Sequence, residues 1–107
     1  MDDLIIILMT SSSIEEADLI SNSLLEKKLI ACSNIINDMK STFWWNGNIQ
    51  KENEVLIIAK STKALLNNII AEVKSIHSYD VPEILAIPIL GGNPDYLDWI
   101  FKETKSK

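Results

Sequence analysis

The strand-forming segments of this chain are apolar at almost every position, and that property limits the folds open to it. Leu4-Ile5-Ile6-Ile7-Leu8-Met9 contains no polar residue, Val55 to Ala59 contains none, and only Pro88 interrupts the run from Ile84 to Leu90. Successive side chains of a strand point to opposite faces, so a sheet packed on one side and wet on the other reads as alternation. Here both faces call for cover. Some eight to ten large apolar side chains would otherwise meet water, at roughly 1.5 kcal/mol each or ~12 kcal/mol together, which rivals the ~5 to 15 kcal/mol net stability of a whole domain. A second copy of the same chain is the most economical cover.

The segments between these runs define the element order. Ser12 and Ser13 each stand three residues before a glutamate, Glu15 and Glu16, giving two capping-box registers for a first helix from about Ile14 to Lys28. Ala17, Ile20, Leu24 and Lys28 mark its inward face. Ile30 to Ile36 returns to strand composition, Asn37-Asp38 supplies a bend or bulge, and Met39 to Trp45 continues to Asn46-Gly47, a hairpin turn in which both residues tolerate positive φ. The return strand runs from Ile49 to Lys60. Period 2 sends Phe43 and Trp45 to one side of this long ribbon and Trp44 to the other, so both sides want burial and all three are expected at an interface between copies.

Ser61 or Thr62 is placed to cap a second helix carrying Leu66, Ile69, Ile70, Val73 and Ile76 at helical spacing. Pro82 precedes a fourth strand, Ile84 to Leu90, whose Pro88 cannot donate a ladder hydrogen bond and so predicts a sheet edge. Asn93 and Pro94 open a short third helix. The order βαββαβ plus a terminal helix predicts an α+β, ferredoxin-like sandwich: an antiparallel sheet in the order 4-1-3-2 with two helices on one face. At 107 residues, the chain is expected to form one domain, 1–107.

Charge narrows the function classes. The net charge is −5, and all ten basic residues are lysines. Without arginine there is no bidentate fork for phosphate or base edges, so nucleic acid is not an expected partner despite three tryptophans on a sheet topology shared with RNA-binding modules. Cys32 is the only cysteine, the start Met1-Asp2-Asp3 is acidic, and Leu4 to Met9 is too short to cross a bilayer. These features predict a cytoplasmic protein with no membrane insertion.

Several segments together resemble the CutA family of divalent cation tolerance proteins. They are Glu26 to Ile36, Phe43-Trp44-Trp45-Asn46-Gly47-Asn48-Ile49, Glu54 to Ser61, His77-Ser78-Tyr79-Asp80-Val81-Pro82-Glu83-Ile84, and Gly92-Asn93-Pro94-Asp95-Tyr96-Leu97-Asp98-Trp99. The resemblance implies a homotrimer whose sheets pack around a threefold axis, similar in architecture to the P-II signalling proteins. It also implies a role in the response to metal ions through copper or another divalent cation, with no organic cofactor and no catalytic reaction. Some members carry paired histidines and an extra cysteine where this chain has Ile76-His77 and Met9-Thr10.

The predicted topology brings Met9, His77 and Glu83 to one end of the sheet, and imidazole with thioether suits copper while a carboxylate suits harder ions. The competing reading makes His77, the only histidine, a capping or dipole-stabilising group at a helix C-terminus. Cys32 falls at the opposite end of the subunit, as a small hydrophobe or as part of a metal site shared between copies. Trp45, Lys60, Tyr79 and Glu83 either pack and pair locally or line an intersubunit pocket for a small ligand. An enzyme is not expected: phosphate chemistry of the acylphosphatase kind needs an arginine, and a Cys32–His77 pair would have to bridge opposite ends of the chain.

Overall fold

Leu4 begins the first strand and Glu103 ends the last helix of this mixed α+β fold, a computed structural model that describes residues 3–104. The acidic start at Met1-Asp2 lies outside the described residues. In chain order the elements are β1 (Leu4–Ser11), α1 (Ile14–Glu26), β2 (Cys32–Trp45), β3 (Asn48–Thr62), a 3₁₀ turn (Lys63–Leu65), α2 (Leu66–Ile76), β4 (Ile84–Pro88) and α3 (Pro94–Glu103). The four strands form one antiparallel sheet in the order β2-β3-β1-β4. Pro88 therefore sits on an edge strand, where its missing N–H costs no central ladder bond.

One face of the sheet is a closed core. Ile5, Ile7 and Met9 of β1 and Val55, Ile57 and Ala59 of β3 are buried against Ala17, Ile20 and Leu24 of α1 and Ile69 and Val73 of α2. Spacings of three and four residues put each helical set on one stripe. Ser13 caps α1 by accepting the Glu16 N–H at 3.1 Å, while the Glu16 carboxylate reaches back to the Ser12 N–H at 2.9 Å. The helix stops at Glu26, two residues short of the expected Lys28, because Lys28 takes the left-handed conformation (φ 57°) and stands exposed as the chain turns back toward the sheet.

Other boundaries differ from expectation for local reasons. Leu29 and Ile30 fill the core ahead of β2, which starts at Cys32, and the expected bulge falls between Ile36 and Met39 with Asp38 at φ 62°. Neither Ser61 nor Thr62 caps the second helix: β3 runs on through Thr62, and the Ser61 hydroxyl donates to the Leu29 carbonyl instead. The fourth strand ends at Pro88 rather than Leu90.

The other sheet face is largely bare. Alternation from the buried residues places Ile6 and Leu8 of β1, Leu56 and Ile58 of β3, Ile36 of β2 and Leu85 and Ile87 of β4 on it. Ile36, Leu85 and Ile87 are 50%, 55% and 45% exposed. The α3 helix, capped by Asn93 with Pro94 in its first turn, covers only one end, where Ile100 and Leu97 pack with Leu4, Ala31 and Ile89. The β2–β3 ribbon carries a second apolar surface: Trp44 pairs directly across from Ile49, and they are 72% and 58% exposed.

Candidate functional site

The end of the sheet at Thr10 is where loops and ribbon converge. α2 stops at Ile76, and His77 enters an extended conformation that folds its ring beneath the chain. Its side chain is fully buried. Nε2 lies 2.7 Å from the Thr10 carbonyl, and the Tyr79 N–H donates to Nδ1 at 3.0 Å. A carbonyl can only accept, so Nε2 carries the proton and Nδ1 accepts. Both ring nitrogens are thus committed to the backbone.

The Glu16 carboxylate joins the same network, accepting from the Ser12 N–H and hydroxyl and from the Ser78 N–H at 2.7 Å. Burial pushes its pKa up, but these donors outweigh burial and bring the group down from 4.5 to about 2. This network pins the start of α1 to the loop after α2.

That loop forms one wall of a cavity of about 680 Å³, and the ribbon forms the other. Phe43 and Trp45 project into it from β2, Glu52 and Glu54 from β3, and Tyr79 and Glu83 from the loop. Glu54 is 8% exposed, and its Oε2 accepts from the Tyr79 hydroxyl at 2.9 Å. Burial and the Glu54 charge push the Tyr79 phenol up to about 12, so it stays a donor.

These positions sort the residues expected at a site. Trp45, Tyr79 and Glu83 line one cavity together. Lys60 does not join them within this chain: it pairs with Cys32 and Ile6 at the far end of β3, where its ammonium donates to the Asn34 side chain. Met9, His77 and Glu83 share an end of the sheet but do not converge. Met9 is fully buried in the helix-side core, His77 has no free lone pair, and Glu83 is exposed on the cavity wall. Cys32 is half-buried at the opposite end, 3.6 Å from the Tyr96 hydroxyl. Among the described residues no three His, Cys, Asp or Glu side chains gather to hold a metal ion.

Two contributors were not foreseen as site residues. Glu52 and Glu54 continue the parity of Leu56 and Ile58, and that spacing is a signal that they extend the open face rather than the helix-packed one. Glu16 was foreseen only as a cap.

Fold and cleft together define a small α+β protein with one four-stranded sheet, one sealed face, and an open face that ends in an acidic, aromatic cleft. The family model for the CutA1 divalent ion tolerance protein matches residues 5–103, and the chain belongs to that family. It is 47% identical over 94 residues to the divalent-cation tolerance protein CutA of Archaeoglobus fulgidus, covering 88% of this chain and 91% of the relative. It is 39% identical over 101 residues to the chloroplastic CutA 1 of Oryza sativa, covering 94% of this chain but 57% of that relative. The chain likewise spans 56% of the chloroplastic CutA of Arabidopsis thaliana. Among solved structures, rice CutA1 superposes with a TM-score of 0.96 at 37% identity, covering 99% of this chain and 97% of that one. The Thermus thermophilus protein gives 0.94 at 37% identity, covering 95% and 99%.

Proposed function

We propose that this chain is the ferredoxin-like subunit of a homotrimer that serves in the response to divalent cations. The observation that carries the reading is the bare sheet face, where Ile36, Leu85 and Ile87 stand about half exposed beside Ile6, Leu8, Leu56 and Ile58. Copies packed face to face would bury these side chains, and the resemblance to the family favours three copies. The role is one of binding rather than catalysis. The single cysteine favours a reducing compartment such as the cytoplasm, although relatives are named for the chloroplast and the periplasm.

Copper, in this reading, binds where copies meet. Cys32 shares the parity of Asn34 and Ile36 on the open face, and a thiol suits Cu(I). A competition titration with a Cu(I)-selective chelator tests this on the assembled protein. Cys32→Ser should abolish tight Cu(I) uptake and His77→Ala should leave it unchanged. Uptake by the wild type no tighter than by Cys32→Ser refutes the assignment.

A second reading, a signalling or scaffold trimer similar to the P-II proteins, has its own support. The cavity between ribbon and loop has the size of a small-ligand site, ~300 to 1,000 Å³, and Trp45, Tyr79 and Glu83 line it.

A further inference from the structure

His77 is the one histidine of the chain, and its side chain is fully enclosed. The neutral ring is held at both ends, with Nε2–H donating to the Thr10 carbonyl at 2.7 Å and Nδ1 accepting the Tyr79 N–H at 3.0 Å. Each neighbouring element presents a group to it. β1 offers the Thr10 carbonyl, α1 the Glu16 carboxylate and the loop after α2 the Tyr79 ring at 4.8 Å, while Glu54 of β3 acts through the Tyr79 hydroxyl that it holds. Lys74, in the last turn of α2, is exposed. Among the described residues Glu16 is the one charged group within ion-pair distance, its Oε2 lying 3.7 Å from Nδ1. A carboxylate has about four acceptor positions. Ser12 takes two on Oε1 and Ser78 takes one on Oε2, so the oxygen facing the imidazole has one to spare.

A second proton on the ring uses the Nδ1 lone pair and turns an acceptor into a donor. Two donors, Nδ1–H and the Tyr79 N–H, cannot share a hydrogen bond. We infer that His77 is a proton-operated latch on the loop after α2: neutral, it holds the Tyr79 backbone, and protonated, it releases Tyr79 and turns Nδ1–H to Glu16. The proton comes from solvent, Nε2–H stays on Thr10, and the new pair is charge-assisted. Tyr79 also tethers Glu54 on the ribbon, so its release loosens one wall of the cavity. The device works inside one chain and is independent of copper and of assembly.

Histidine side chains ordinarily change charge between about pH 5 and 8. Across that window Glu16, held down at about 2, stays ionised, and the Tyr79 phenol, pushed up to about 12, stays protonated, so neither supplies the change. Nitrogen-15 NMR of the full chain from about pH 8 to about pH 5 follows the ring nitrogens and amide exchange together. The ring should start as the Nε2–H tautomer. As it gains its second proton, Tyr79 amide protection, corrected for the intrinsic pH dependence of exchange, should fall at least about tenfold while Ile57 of β3 keeps its protection. His77→Asn puts a side-chain oxygen within reach of the same N–H two residues on, as in an Asx-turn, and cannot titrate, so Tyr79 protection should become independent of pH. A ring that stays neutral throughout, a ring that titrates while Tyr79 keeps its protection, or a loss of protection that persists in His77→Asn overturns the inference.

Discussion

Replacing Glu16 tests whether one carboxylate holds the two helices in register at the site. Its oxygens accept the Ser12 N–H at 2.9 Å, the Ser12 hydroxyl at 3.0 Å and the Ser78 N–H at 2.7 Å, at the N-terminus of α1. Hydrogen bonds to a charged acceptor contribute ~1.5 to 3 kcal/mol each at most, and the helix terminus adds ~0.5 kcal/mol. Allowing for non-additivity, Glu16→Gln should cost about 2 to 3 kcal/mol at neutral pH. The pH dependence has a definite sign. The folded-state pKa of about 2 lies below the ordinary 4.5, so the stabilisation is complete above about pH 4.5 and is lost as pH falls toward 2. Urea unfolding of both proteins at pH 7 and pH 3 reads this directly: the gap between them should shrink by about half or more at the lower pH. Equal stability at pH 7, or a gap of the same size at pH 3, refutes the network. The loop after α2 should also loosen, seen as faster amide exchange at Ser78 and Tyr79.

Alkaline titration of the two tyrosines gives an independent check on the cleft. Tyr79 should ionise at about 12, pushed up by burial and by its bond to Glu54. Tyr96 should also ionise above the ordinary 10, chiefly through its contact with Cys32. Ultraviolet difference absorbance should therefore show no phenolate step at pH 10 in the folded protein, and Glu54→Gln should bring the Tyr79 step down. Because the unfolded phenol ionises near 10, the Tyr79 contribution to stability is complete below pH 10 and declines between 10 and about 12. A normal step at pH 10 of two-tyrosine amplitude contradicts the buried Tyr79–Glu54 bond.

The order of elements was legible because each boundary is written in local chemistry. Ser13 with Glu16, Asn46-Gly47 and Asn93-Pro94 act within a turn or two, so short-range rules capture them. The bare face was legible because apolar runs at period 1 leave no polar side for a strand to show to water. Boundaries set by tertiary contact were not legible. Ser61 resembles a helix cap, yet its hydroxyl is taken by Leu29 across the core, a partner 32 residues away. The same limit applies to the site. Trp45, Tyr79 and Glu83 could be grouped from topology, but that Lys60 of the same chain stands at the other end of the sheet followed only from the β3 register, which sets it against Ile6 and Cys32. His77 carried no sign in sequence that Thr10 and Tyr79 would occupy both of its nitrogens.

Sedimentation velocity at micromolar concentration tests the central claim, that copies of this chain bury its second sheet face. The wild type should run as a species of about three times the 12.0 kDa chain. Leu85→Asp sets an unpaired charge amid that face, at a cost of several kcal/mol per copy, and should run as single chains. A well-folded wild type that sediments as one 12.0 kDa chain would contradict the account.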